Sequence, residues 1–193
     1  MTDDEFERFY DETAGPLHAY LTRIGGEEWL ADDLLQSAYV RVLRARDVPG
    51  DHRPRRVYLF RVATNLLRDE WRRRGAERRR GDMLVGGTAS SVAVGSWGFD
   101  RPVAAEAASL ESRLEVKKAL SEVTPRDREL LWLAYALGMS HGEIAEVAGV
   151  EAASVRVLLQ RARRRFVAVV DRYAAGSGED GSGGPSKGRE AGG

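Results

Sequence analysis

None of the 193 residues is a cysteine, and histidine occurs only three times. Without cysteine, disulfide frameworks, thiolate metal sites and cysteine nucleophiles are excluded, which fits a reducing compartment. His18, His52 and His141 are far apart in sequence, with no second histidine or carboxylate at metal-ligand spacing. The longest apolar run, Leu130 to Leu137, is eight residues, against the roughly 18 a membrane span needs. No basic start followed by an apolar stretch suggests a signal peptide. Glycine-rich stretches lack the strand-before, helix-after setting of a phosphate loop. The reading so far is a soluble, cytoplasmic protein with no membrane span. It has no catalytic residues, no metal and no cofactor, and is not an enzyme.

Net charge is also missing, since 30 basic residues balance 30 acidic ones. That balance conceals segregation. Residues 1–50 carry 11 acids and 5 bases, net −6, whereas residues 51–80 carry 4 acids and 11 bases, net +7. Residues 113–175 carry 8 acids and 11 bases, net +3. Two basic patches separated by a weakly acidic stretch suit a polyanion that binds both. Arginine supplies 27 of the 30 bases; codon bias explains that as readily as phosphate geometry.

Helical periodicity dominates residues 1–80. Phe6, Phe9, Tyr10, Leu17, Tyr20, Leu21 and Ile24 recur at helical spacing, with Gly15-Pro16 as an expected break and Gly25-Gly26 as a stop. A second helix is predicted from about Leu30 to Ala45. Its apolar side is Leu34, Leu35, Ala38, Tyr39, Val42 and Leu43, and its polar side Asp32, Asp33, Gln36, Ser37, Arg41 and Arg44. The Asp32-Asp33 pair falls at its start, where the helix dipole favours acids whatever the function. A third helix is expected from near Arg56 to about Arg74, with Leu59, Phe60, Val62, Ala63, Leu66, Leu67 and Trp71 facing a core.

Residues 81–112 read as a linker, rich in glycine and without sustained periodicity until about Val103; Trp97 and Phe99 within it suggest a local hydrophobic dock or a partner contact. From about Leu110 the helical pattern returns. Thr124-Pro125-Arg126-Asp127 is a helix start: an N-cap Thr, Pro at the first position and an acid placed to complete a capping box. That helix should end at Gly138, and Ser140-His141-Gly142-Glu143 repeats the capping logic. Residues 176–193, with eight glycines and no large apolar side chain, are expected to form a disordered tail.

Residues 140–165 satisfy the physical requirements of a helix-turn-helix. Ile144, Ala145 and Ala148 point inward, Gly149 permits the turn and Val150 plugs it; a second helix then opens near Ala152 and buries Val155 with Leu158 or Leu159. Its outward residues Ser154, Arg156, Gln160, Arg161 and Arg164 suit base edges at the N-terminal half and phosphates at the C-terminal half. On the third helix, Arg61, Asn65, Arg68 and Arg72 are spaced 4, 3 and 4 apart, one stripe opposite the core face. Arg73, Arg74, Arg78, Arg79 and Arg80 extend it, with Asp69 and Glu70 as interruptions. Arginines that hold a backbone beside an Asn that reads a base edge suit a nucleic-acid stripe, with a solvated helix face as the alternative.

The order of these parts resembles the extracytoplasmic-function (ECF) sigma factors, two-domain specificity subunits of bacterial RNA polymerase. The resemblance covers residues 1–172. The stretch Ala31-Asp32-Asp33-Leu34-Leu35-Gln36-Ser37-Ala38-Tyr39-Val40-Arg41 is similar to the region 2.2 helix, which in the family binds the beta-prime clamp coiled coil. Tyr58 to Asn65 with Asp69-Glu70-Trp71-Arg72-Arg73 resembles regions 2.3 and 2.4, which melt and read the minus-10 element. Thr124 through Arg163 resembles region 4, which reads the minus-35 element. The fold implied is all-α: sigma region 2 over 1–80, a linker over 81–112, sigma region 4 over 113–175 and a tail over 176–193.

The resemblance also implies partners and site residues. The partners are core RNA polymerase, through its beta-prime clamp coiled coil and beta flap, promoter DNA, and an anti-sigma factor. Asp33, Gln36 and Arg41 would contact polymerase. Arg61, Asn65, Arg68, Arg72 and Arg73 would bind minus-10 DNA, with Asn65 holding a flipped base by an amide that both donates and accepts. Ser154, Arg156, Gln160, Arg161 and Arg164 would bind minus-35 DNA. Three positions depart from the family. Ser37 stands where Glu or Asp is usual, Tyr58 replaces a common Trp, and Val157-Leu158 replaces a frequent Ser-Arg, leaving an apolar surface that suits a thymine methyl. A stand-alone helix-turn-helix regulator would explain residues 113–172 but leave the Asp33/Gln36 helix and the Asn65 stripe without a role. A sigma-like adaptor without promoter activity is the third reading.

Overall fold

The computed structural model describes residues 1–84 and 118–176, apart from a few side chains at the edges of these spans. Of the linker predicted over 81–112, residues 81–84 are instead the end of a helix that runs ten residues past the expected stop near Arg74; the rest of it, with Trp97 and Phe99, and the tail beyond Gly176 lie outside the described residues. Within them every regular element is helical: α1 Asp3–Gly25, α2 Glu28–Arg44, α3 His52–Leu84, α4 Pro125–Leu131 continuing as a π-helical turn Trp132–Ala136, α5 His141–Ala148 and α6 Ala152–Gly176. Residues 118–122 are also helical.

Helix α1 starts at a complete capping box between Thr2 and Glu5 and stops where Gly26 takes φ 89° and donates its N–H to Thr22. The break expected at Gly15-Pro16 does not occur, because Pro16 lies inside a continuous helix. An interior proline costs about 3 kcal/mol. Beyond it Leu17, Tyr20, Leu21 and Ile24 are buried, at about 1.5–3 kcal/mol for each large apolar side chain, so burial of the face wins.

Helix α2 buries Leu34, Leu35, Ala38, Tyr39 and Val42 as expected, but Leu43 is 52% exposed. It lies one residue past Val42 and turns 100° off the buried stripe. Asp32 and Asp33 fall in the second turn rather than at the start, since α2 opens at Glu28. Helix α3 begins four residues earlier than the periodicity suggested. Pro54 stands in its first turn, where a missing N–H breaks no intrahelical bond.

Thr124 caps α4 by accepting from the Asp127 N–H. The Asp127 carboxylate accepts from the Thr124 hydroxyl and from Arg165 of α6 at 2.8 Å, so this first-turn acid ties two helices together. The π-helical turn follows and ends near Gly138, at φ 62°. Ser140 and Glu143 form the expected reciprocal box at the start of α5. Gly149 then turns the chain into α6 at φ 63°, a conformation that side-chain-bearing residues adopt at a cost of about 1–2 kcal/mol. A Cβ there would meet only Arg68, at an ordinary 3.6 Å. Gly149→Ala should therefore cost about 1 kcal/mol in chemical denaturation, through backbone strain and not collision.

Helices α1, α2 and α3 pack on one another, α4 and α5 pack on α6, and α3 also packs on α5 while α1 meets α4. One hydrophobic core runs from Phe9 through Phe60 and Leu67 to Leu133, Ile144 and Leu159. The two helical units that the sequence suggested as separate patterns thus meet along a shared seam. Val147 joins Ile144, Ala145 and Ala148 in the interior, and Leu159 is more deeply buried than Leu158.

Candidate nucleic-acid and protein interfaces

On α2, Asp33, Gln36 and Arg41 are exposed, and Ser37 is half-buried. Val40 is 43% exposed and continues the Asp33/Gln36 face towards Leu43, at steps of three and four residues. Leu43, expected in the core, is thus part of a mixed polar and apolar outer stripe. A polar rim beside exposed aliphatic side chains is what a protein-binding helix presents.

The arginine stripe of α3 is less open than its sequence implies. Arg61 Nη1 lies 3.0 Å from the Glu146 carboxylate of α5, and its guanidinium sits over the Tyr58 ring at 5.0 Å. Tyr58 is therefore packed both against the core and beneath Arg61. Arg68 donates from Nη2 to Glu129 at 2.7 Å and to the Ala148 carbonyl at 3.0 Å. That carbonyl ends α5, where a cation is favoured by the helix dipole and by unpaired acceptors. Arg72 pairs with Asp69, Arg73 with Glu70 and Glu77, and Arg74 with Glu27 and Glu70. The stripe that read as almost free of compensating acids has them, from its own helix, from the α1–α2 junction and from α4 and α5. Asn65 stays exposed and lines an open hollow with Arg68, Trp71 and Arg72.

Two further arginines near the start of α3 meet the second unit. Arg53 forms a two-pronged pair with Glu143, at 2.5 Å and 3.0 Å. Arg56 Nη2 donates to the Leu137 carbonyl at 3.4 Å. The Arg53 guanidinium, with help from Ser140, holds the Glu143 carboxyl down at about 2. On the other side of the seam Arg128 donates to the Leu120, Ser121 and Val123 carbonyls and, across the seam, to the Arg23 carbonyl at 3.3 Å. Burial lowers the pKa of Arg128. Burial, with Arg128 alongside, brings Arg23 down to about 10. Sequence reasoning missed these seam residues because none has its partner within one helical turn.

On α6, Arg156, Gln160, Arg161 and Arg164 are exposed, Ser154 is half-buried and Val157 is exposed beside them. Apart from Ser154, the residues expected to face outward do so, with Val155 and Leu159 holding the helix to the core. Its flank was not foreseen. Leu120, Leu131, Trp132, Tyr135, Phe166 and Val167 line an apolar groove of about 480 Å³. The π-helical turn carries Tyr135 to its rim, 63% exposed, with Arg163 over the ring at 6.0 Å.

Two histidines read as isolated have acidic neighbours: His18 lies 3.1 Å from Asp32 and His52 lies 2.7 Å from Glu12. Each contact joins a histidine to one carboxylate of a neighbouring helix. Among the described residues no group of three or more possible ligands could hold a metal ion, and no helix is long and apolar enough to cross a membrane.

Residues 9–77 match the family described as Sigma-70 region 2, and residues 113–166 match Sigma-70, region 4. The chain is 33% identical over 156 residues to the ECF RNA polymerase sigma factor SigL of Mycobacterium tuberculosis, covering 80% of this chain and 82% of that one. It is 34% identical over 151 residues to the RNA polymerase sigma factor CnrH of Cupriavidus metallidurans, covering 72% and 73%. The structure of CnrH in complex with the cytosolic domain of CnrY matches with a TM-score of 0.60 at 26% identity, over 89% of this chain and 90% of that one. The sigma factor RpoE of Bartonella quintana, solved with the anti-sigma factor NepR, shares the fold with a TM-score of 0.66 at 20% identity, over 86% and 97%.

Proposed function

This chain belongs to the ECF group of the sigma-70 family, and on that premise we propose that it is an alternative sigma factor, which binds core RNA polymerase and directs it to promoters. The observation that carries this is the pair of regional matches, region 2 over 9–77 and region 4 over 113–166, in the family's order. A stand-alone helix-turn-helix regulator would leave the first match without a purpose. Sigma factors are not an enzyme class; this one contributes recognition and no chemistry of its own, in the cytoplasm where polymerase works.

The roles follow from the surfaces. Asp33, Gln36 and Arg41, with Val40 and Leu43 beside them, are the face for the beta-prime clamp coiled coil. Asn65 reads a flipped minus-10 base in the hollow shared with Trp71 and Arg72, while Arg61, Arg68, Arg72 and Arg73 hold the strand's phosphates. Ser154, Arg156 and Gln160 face minus-35 base edges, and Arg161 and Arg164 hold the backbone. The apolar groove around Trp132 and Phe166 is the surface we assign to the beta flap. Sequestration by an anti-sigma factor is the proposed regulation.

Run-off transcription with core polymerase on genomic fragments tests this. The expected result is initiation at discrete start sites only when the protein is added. Sequence-specific duplex binding by the protein alone, without stimulation of core, would replace this reading with the regulator.

A further inference from the structure

Among the large apolar side chains in the first half of α6, one is left to solvent. Val155 and Leu159 are buried, and Leu158, which the sequence pairs with Val157 as an apolar surface, is half-buried and packs on the core. Val157 is 46% exposed, amid the exposed Ala153, Arg156, Gln160 and Arg161. Val167, the other exposed valine of the helix, stands ten residues further on, about 15 Å along the axis, and belongs to the apolar groove. We propose that Val157 reads the C5-methyl group of a thymine in the minus-35 element, so that promoter choice depends on a methylated pyrimidine at that position. This rests on the minus-35 role proposed above for α6.

Position, size and chemistry converge on that group. Val157 lies in the second turn of the helix that follows the Gly149 turn, and in a helix-turn-helix the N-terminal residues of this helix contact base edges. Ala153, Val157, Gln160 and Arg164 are four, three and four residues apart and share one face. Ala153, one turn ahead, carries no more than a methyl group, so no long side chain there holds Val157 away from the groove floor. Major-groove edges present donors and acceptors, and the thymine methyl is the apolar feature among them. An isopropyl group set against a donor or acceptor strips its water and offers no hydrogen bond in return. Set against a methyl, it removes apolar surface from water on both sides. The charge of this face favours close approach. No acid occurs between residues 152 and 170, and among the described residues Arg156, Arg161 and Arg164 form no salt bridge. Unlike the paired arginines of α3, these three are open to phosphates, which fix the register but carry no sequence information. The Gln160 amide suits N6 and N7 of adenine, so it and Val157 select A·T pairs through different groups.

Uracil differs from thymine by that methyl group alone, so the contact can be tested on the DNA. On a promoter found by run-off transcription, each thymine of the minus-35 element, on either strand, is replaced singly by deoxyuridine. Binding of the full-length chain assembled with core polymerase is then titrated. One replacement should lower affinity about three- to fivefold, the value of one buried methyl. At the same position 5-methylcytosine should bind better than cytosine by a similar factor. Val157→Ala, at an exposed helical site where alanine is the better helix former, should cut the distinction between thymine and deoxyuridine to less than twofold. Val157→Thr, which keeps one branch methyl, should retain it. Arg164→Ala should instead weaken the thymine and deoxyuridine promoters equally. A minus-35 element with no position sensitive to deoxyuridine, or a penalty that survives unchanged in Val157→Ala, would overturn the assignment while leaving α6 as a minus-35 reader. If ordinary base changes throughout that element leave binding unaltered, α6 does not read it, and both claims fall together.

Discussion

Asp33→Arg combined with Gln36→Ala should abolish co-purification with core RNA polymerase while leaving the helical fold intact. Both side chains are exposed, and their neighbours Leu34, Leu35 and Ala38 hold α2 to the core. Asp33 has no salt bridge among the described residues, so its reversal costs little folding stability; substitutions of that kind usually fall within about 0.5 kcal/mol. At an interface the same reversal places a cation where an anion met its partner, and a loss of that type costs about 2–5 kcal/mol or more. That corresponds to a drop in affinity of at least about thirtyfold, enough to empty a pull-down. Circular dichroism and thermal unfolding check the fold, and co-purification with core checks the face. Wild-type yield of complex would mean that the outer stripe of α2, Val40 and Leu43 included, serves another partner.

The second large effect separates reading from holding on α3. Asn65→Ala should change which base is preferred in the minus-10 element, because it removes an amide that tells donor from acceptor at a base edge. The lost contact is worth about 1–3 kcal/mol of discrimination, or roughly five- to 150-fold between promoter variants. Arg72→Ala should weaken all variants about equally and lower the salt slope by roughly one unit, since a phosphate looks the same under every base. Arg72 already pairs with Asp69, so DNA must displace that carboxylate, and the net loss at low salt should be the smaller of the two. Transcription from a promoter library mutated across the minus-10 element, run with both variants at two salt concentrations, checks this. An unchanged preference for the Asn65 variant would make it a local packing residue; a sequence-dependent loss for the Arg72 variant would exchange the two roles.

The features legible in the residues are those that close over three or four positions. Ser140 with Glu143, Thr124 with Asp127 and the stop at Gly25-Gly26 are local hydrogen-bonding devices, so the chain announces them without help from its fold. Ile144, Ala145, Gly149 and Val155 fall in helix-turn-helix register for the same reason. Where local rules met burial they lost. Pro16 reads as a breaker by its missing N–H, yet the apolar face that spans it keeps α1 whole. Leu43 reads as core by its chemistry, yet one residue of rotation puts it outside.

What the sequence by itself determined is that these segments are helical, the caps at Thr124 and Ser140, the helix-turn-helix and the order of the two sigma-type regions, because each depends largely on neighbours within a turn or two. Tertiary structure alone decided what the faces of these helices meet. Arg53 finds Glu143 across 90 residues and Arg68 finds Glu129 across 61, and nothing in the local pattern of either helix points to the other. An arginine in a helical row has the same spacing whether water, a phosphate or a distant carboxylate lies opposite. Only packing α3 against α5, which brings Glu129 of α4 to Arg68, chose the carboxylate, since charge pairing at that range depends on where the chain returns in space rather than on the order of its residues.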